Sequence, residues 1–156
     1  MANDDLLRPT LSDYRQVPAI YSSTGFFLST FFGGPVGAAF YGLCNSQRLN
    51  RLWTDLLPFV ALAAAAFELL VLLQRGGQMD AFAELIGTDR RSTFEISLRA
   101  LALVCFAAIY FMHRKFFRTA QVSGVKPLSG WVPGLAAVIL GYFANLGFID
   151  WILKHH

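Results

Sequence analysis

The chain has 156 residues, of which 55% are apolar and 15% aromatic, with 15 phenylalanines and a formal net charge of +3. That much apolar surface, with charges confined to short stretches, excludes an ordinary water-soluble domain and points to an integral membrane protein. The basic residues stand beside apolar runs rather than on a hydrophilic face, so they read as topology signals and not as a nucleic-acid surface.

A spanning helix needs roughly 20 mostly apolar residues, which leaves room for four crossings joined by short loops. The expected fold is all-α: an integral membrane bundle of four transmembrane helices plus one short interfacial helix, forming a single membrane domain over 1–156. Residues 1–21 are mixed and polar, and a short surface helix over 10–16 fits them. Asp4, Asp5 and Asp13 do not suit a cleavable signal peptide, so the first span is expected to serve as its own insertion signal.

The first span covers about 23–44 and is broken at its centre by Gly33-Gly34-Pro35. Pro35 removes a backbone donor, so a kink is expected there. Gly33 and Gly37 lie four apart, and Gly34, Ala38 and Gly42 repeat that spacing one position along. Small residues at this interval let helices approach closely in lipid, so these positions read as packing seams, with a hinge beside Pro35 as the sharper alternative. The second span covers about 55–73. Thr54 suits its N-cap, Asp55 its positive end, and Pro58 falls early enough to be tolerated.

The only sizeable loop follows, and within it Met79, Phe82, Ala83 and Ile86 keep helical spacing, with Gly87 as a stop. An interfacial helix over 78–86 is expected. The third span covers about 93–112. It opens on Ser92-Thr93-Phe94-Glu95, a capping box in which Glu95 reaches back to the cap amide. The fourth covers about 131–153, with Ser129 suited to cap it, Pro133 in its first turn, and Trp131 and Trp151 near its ends. Ala137, Gly141 and Asn145 continue the four-residue spacing. Cys44 and Cys105 lie in apolar surroundings without metal-type spacing and read as packing residues.

With four crossings, both termini and the 74–91 loop share one side. The opposite side holds Arg48, Arg51, Arg114, Lys115 and Arg118 in short loops, a cytoplasmic anchor by the positive-inside rule. Both termini are therefore expected to be non-cytoplasmic.

An ionisable side chain within a span is costly and marks a functional candidate. Glu68, near the end of the second span, and Arg99, near the start of the third, fall at similar depth. Ser29, Thr30 and Asn145 reach that depth from the same side. An intramembrane polar cluster of Glu68, Arg99, Glu95, Ser29, Thr30 and Asn145 is expected, centred on a Glu68–Arg99 ion pair. Such a pair can simply fix helix register or can line a pocket open to the non-cytoplasmic side. In the remaining alternative Arg99 snorkels to the surface and Glu68 is protonated.

No nucleophile elbow, zinc-binding H-E-x-x-H, C-x-x-C, phosphate-binding loop or dinucleotide fingerprint occurs. His113 is the only histidine before the terminal pair, which rules out bis-histidine haem ligation within the bundle. No catalytic residue, metal or cofactor is expected.

Tyr21-Ser22-Ser23-Thr24, the Phe31-Phe32-Gly33-Gly34-Pro35-Val36-Gly37 core and the Asn45…Arg48-Leu49 turn resemble a pattern in small bacterial membrane proteins. Those proteins share an F-x-G-[GS]-P-x-[AG] first span, an N-x-x-x-L turn and four predicted spans. Gly124, Ser129 and Trp131 match their third loop loosely. The resemblance implies a bacterial inner-membrane four-helix bundle and implies no activity. The leading functional expectation is a non-enzymatic membrane interaction protein: an accessory subunit of a membrane complex or a neutraliser of a membrane-acting toxin. Its partners would be the lipid bilayer and a protein, or a second copy, met through membrane helices. The alternative is a homo-oligomeric channel or small-solute transporter using the polar cluster.

Overall fold

The computed structural model describes residues 19–155. Among these residues five helices carry nearly all of the chain and no strand forms: α1 Ser23–Arg48, α2 Leu52–Arg75, α3 Gln78–Ile86, α4 Arg90–Val122 and α5 Trp131–His155. By length and composition α1, α2, α4 and α5 are each able to cross a membrane. The all-α class and the four long apolar segments match expectation. The surface helix expected over 10–16 lies outside the described residues.

The first element departs from the expected kinked span. At Gly34 the backbone takes φ 65° and ψ −159°, a region that only glycine enters readily. The chain reverses there. The Tyr21 amide donates to Asn45 Oδ1 at 2.8 Å and the Tyr41 hydroxyl donates to the Ser22 carbonyl at 3.0 Å. The Phe26 and Tyr41 rings stack at 5.4 Å. In a straight helix Tyr21 and Asn45 would stand about 36 Å apart. α1 is therefore a helical hairpin with limbs 23–33 and 35–48, about 16 Å and about 21 Å long, each too short for a hydrocarbon core of roughly 30 Å. Pro35 alone would only have kinked the helix; the mirror-image conformation of Gly34 turns a kink into a reversal.

This reversal changes which ends of the elements meet. Residues 19–22 sit beside Asn45, and the Leu128 amide donates to the Ile20 carbonyl at 2.9 Å. The start of the described chain therefore lies with the 45–54 turn and the 123–130 loop, here called the basic end because it carries Arg48, Arg51, Arg114, Lys115, Arg118 and Lys126. At the other end α3 is tied to α4 by Arg90–Asp80 at 2.7 Å, and α4 to α5 by Arg91–Asp150 at 3.6 Å. The expectation that the chain starts on the side of the 74–91 loop is corrected accordingly.

α1 is the centre about which the others pack, with α5, α4 and α2 against it. Close approach is bought with small residues. A Cβ on Gly141 of α5 would strike the Gly33 backbone, and one on Gly33 would lie 2.6 Å from the Ala137 carbonyl. The seams expected on α1 are real contacts, but they divide among partners. Gly33 meets α5, Gly37 meets both α5 and the carbonyl of Ser29 in its own hairpin, and Gly42 meets Phe59 of α2 and Ile109 of α4. Ala38 is fully buried. Cys105 is buried and Cys44 half-buried, which fits the packing role expected of them.

Several boundaries moved for local reasons. α2 begins at Leu52, a turn before the expected Thr54 cap. α4 begins at Arg90 because Asp89 caps it, accepting from the Ser92 amide at 3.1 Å and the Ser92 hydroxyl at 2.6 Å. Those bonds hold the Asp89 carboxyl below the usual carboxylate range. Ser92 is thus not the cap, and Glu95, released from the expected capping box, lies 3.7 Å from Arg91 instead. α4 also continues through the basic stretch to Val122, since no glycine or proline interrupts it before Gly124. α3 occupies the residues expected of it, with Met79 buried against Leu70, Phe94 and Leu98.

Candidate functional site

The expected cluster around Glu68 and Arg99 does not assemble among the described residues. The buried face of α2 runs through Asp55, Phe59, Ala63, Ala66, Leu70 and Gln74. Glu68 is two residues beyond Ala66, about 200° around the helix, and faces outward. Arg99 is exposed beside the buried Leu98, and its guanidinium lies 5.8 Å over the Phe31 ring rather than against a carboxylate. Matching depth along two helices was not enough, because rotation about each axis carried the two side chains away from each other.

The remaining members find other partners. The Ser29 hydroxyl donates to the Gly25 carbonyl at 2.6 Å and the Thr30 hydroxyl to the Phe26 carbonyl at 2.9 Å, so each is satisfied within its own helix. Asn145 is half-buried with its amide packed on Gly34, at the tip of the hairpin, and its Oδ1 has no partner among the described residues.

The polar group that the fold does build lies at the basic end. Ser46 in the last turns of α1, Asp55 in the first turn of α2 and His113 on α4 are each at most 2% exposed. The Ser46 hydroxyl donates to Asp55 Oδ2 at 2.7 Å. His113 Nε2 lies 3.0 Å from the same oxygen and 3.2 Å from Ser46 Oγ. Arg51 reaches Asp55 Oδ1 at 3.4 Å and lies 5.5 Å over the Phe116 ring. The rings of Phe59 and Phe116 meet the imidazole edge-on, at 5.4 and 6.3 Å.

Ser, His and Asp invite comparison with a hydrolytic triad, but the connectivity differs. A relay uses opposite nitrogens of the imidazole, one toward serine and one toward aspartate. Here Nε2 meets both, and Nδ1 is buried without a partner among the described residues. The Asp55 carboxylate suits the positive end of α2 and accepts from three sides. The arrangement ties hairpin, α2 and α4 together and presents no reactive atom outward.

Sequence reasoning missed this group, placing Asp55 at a helix start and His113 in a basic run. One signal was available. Asp55 lies just after the 45–54 turn and His113 just before the 113–130 loop, so antiparallel helices bring them to one end, as the same depth argument was made for Glu68 and Arg99. The anchor residues are also more engaged than expected: Arg48 donates to the Tyr21 hydroxyl at 3.2 Å, and Arg114 covers Phe111. Lys115 and Arg118 continue along α4 on the same end.

No protein-family model, curated protein or solved structure matches the chain.

Proposed function

We propose that this protein is a non-enzymatic membrane interaction protein that docks on a transmembrane helix of another protein through the outer face of α2. It would serve as an accessory subunit of a membrane complex or as a neutraliser of a membrane-acting toxin. The observation that carries this reading is Glu68. It stands on the exposed face of α2, the helix with the most apolar membrane-length stretch, with no partner among the described residues, between Leu57, Ala61, Ala64 and Ala65 on one side and Leu72 on the other. A carboxyl group turned toward lipid is costly, and a donor on a neighbouring helix removes that cost. The three alanines leave the face low enough for a second backbone to approach.

The setting proposed is a bacterial inner membrane with the basic end in the cytoplasm. Among the described residues that end carries Arg48, Arg51, Arg114, Lys115, Arg118 and Lys126 in or beside short connections, against Arg75, Arg90, Arg91 and Lys154 at the other. The described chain then begins on the cytoplasmic side and finishes outside.

A photo-crosslinking amino acid at Ala65, activated in native membranes, tests the docking. The expected product is one adduct with a foreign membrane protein, weakened about three- to twentyfold by Glu68→Leu, the range of an interhelical hydrogen bond in a membrane. An adduct of twice the chain mass would make the partner a second copy. Adducts with lipid alone would remove the proposal.

A further inference from the structure

Two cavities adjoin at Ser22 and Thr24, and their chemistries are complementary. One, of about 430 Å³, runs between the first limb of α1 and α5 and is lined by Leu28, Phe32, Trp131, Leu135 and Val138 together with glycines. Thr24, Leu28 and Phe32 follow one another at four-residue spacing, so this groove extends about 12 Å from the basic end toward the tip of the hairpin. Its walls are open on the outside: Leu28 is 46% exposed and Leu135 63%. The other cavity, of about 520 Å³, lies at the basic end between the start of α1, the end of α4 and the following loop. Ser23, Thr24, Gln121 and Lys126 give it a polar lining, and Tyr110 and Phe117 close it on the side of α4.

We infer that the joined cavities form a binding site for one anionic glycerophospholipid, its phosphodiester at Lys126 and one acyl chain in the groove. Charge complementarity selects this occupant. Among the described residues neither cavity is lined by a carboxylate, and Lys126 has no anionic partner. A lysine next to an apolar groove at the end of a membrane bundle suits an anionic head group, and the positive end of the first limb adds to the field there. Trp131, which lines the groove at the start of α5 and is 83% exposed, is the kind of side chain that sits at head-group level. A protein helix would fill the groove but leave the lysine unused, whereas free phosphate would use the lysine and leave the groove empty. The lipid uses both.

The site is tested on the whole chain in nanodiscs of equal phosphatidylglycerol and phosphatidylcholine, reading co-purifying lipid by native mass spectrometry. One retained lipid per chain is expected, enriched in phosphatidylglycerol. Lys126→Gln should lower that enrichment about fivefold, the effect of removing one basic contact to an anionic lipid, while leaving total lipid near its original level. Leu135→Trp should fill the groove and reduce both lipids together. Circular dichroism melting of each variant establishes that the fold is intact, and Val138→Phe replaces Leu135→Trp if that variant does not fold. An unchanged enrichment in Lys126→Gln, or unchanged retention in the groove-filling variant, overturns the proposal. So does loss of the enrichment on adding inorganic phosphate, which would make the cavity at the basic end a free-anion site. A photo-crosslinker at Leu28 that labels residues 1–18 or another protein instead of lipid overturns it as well.

Discussion

The hairpin and the three helices around it obey opposite rules. The most membrane-like stretch of α1 is less apolar than those of the other three long helices, yet 61% of it is buried, against 28% for α2, 28% for α4 and 22% for α5. In water the most apolar element would be innermost. In lipid there is no hydrophobic gain from moving a leucine off the membrane and onto another helix, so the interior goes to residues that pack closely or need a polar partner. Gly33, Gly37, Gly42, Ser29, Thr30, Asn45 and Ser46 are all in the hairpin and all buried. Leu57, Leu72, Val104 and Phe143 are all on the outer helices and all exposed. In lipid a reversed chain with a broken backbone would be tolerated because it is enclosed by protein, and Gly33, Gly34 and Pro35 are all buried.

The contrast can be broken outright at the hairpin. With Cys44 and Cys105 replaced by alanine, Tyr21→Cys and Arg48→Cys, whose native side chains meet at 3.2 Å at the accessible basic end, should crosslink almost completely with a short bismaleimide. A straight helix would hold them about 40 Å apart and give no product at all.

Next in size is the buried polar tie. Asp55→Ala leaves His113 without its carboxylate in a sealed site and should lower stability by about 3–5 kcal/mol, measured by denaturation in detergent. The double change Asp55→Leu with His113→Leu should recover most of that loss, since replacing both partners with apolar residues is often near neutral. If the double variant is as damaged as the single one, Ser46–Asp55–His113 does more than hold three helices together.

A smaller effect is expected at the tip. Gly34→Ala places a side chain in a conformation that costs on the order of 1–3 kcal/mol and drives its Cβ into Asn145. A melting temperature equal to that of the unaltered protein would show that the reversal does not depend on glycine. The smallest changes belong to the outer surface. Leu57→Ala and Val104→Ala, at 76% and 60% exposure, should each stay within about 0.5 kcal/mol. A larger loss at either position in purified protein would mean that the face is covered by a second copy.

Much of this molecule was legible residue by residue. Apolar run length gave the all-α class and four segments long and apolar enough to span a membrane. Helical spacing ending at Gly87 gave α3 at 78–86, and the small residues of the first and last segments were recognised as contact surfaces. These features are local, set by composition and by the nearest few residues, and they hold in any arrangement of the helices.

The direction of the first segment was not local in that sense. A single φ/ψ pair at Gly34 decides whether 26 residues cross or return, and hydrophobic periodicity is the same in both cases. Once that direction is wrong, the start of the described chain is placed on the wrong side, and Ser29 and Thr30 are given a depth counted from the wrong end. Rotation about each helix axis was also open, because it depends on which face meets the hairpin. Tertiary packing turned Glu68 outward, satisfied Ser29 and Thr30 within their own helix, and brought Ser46, Asp55 and His113 into a site that no single segment announces.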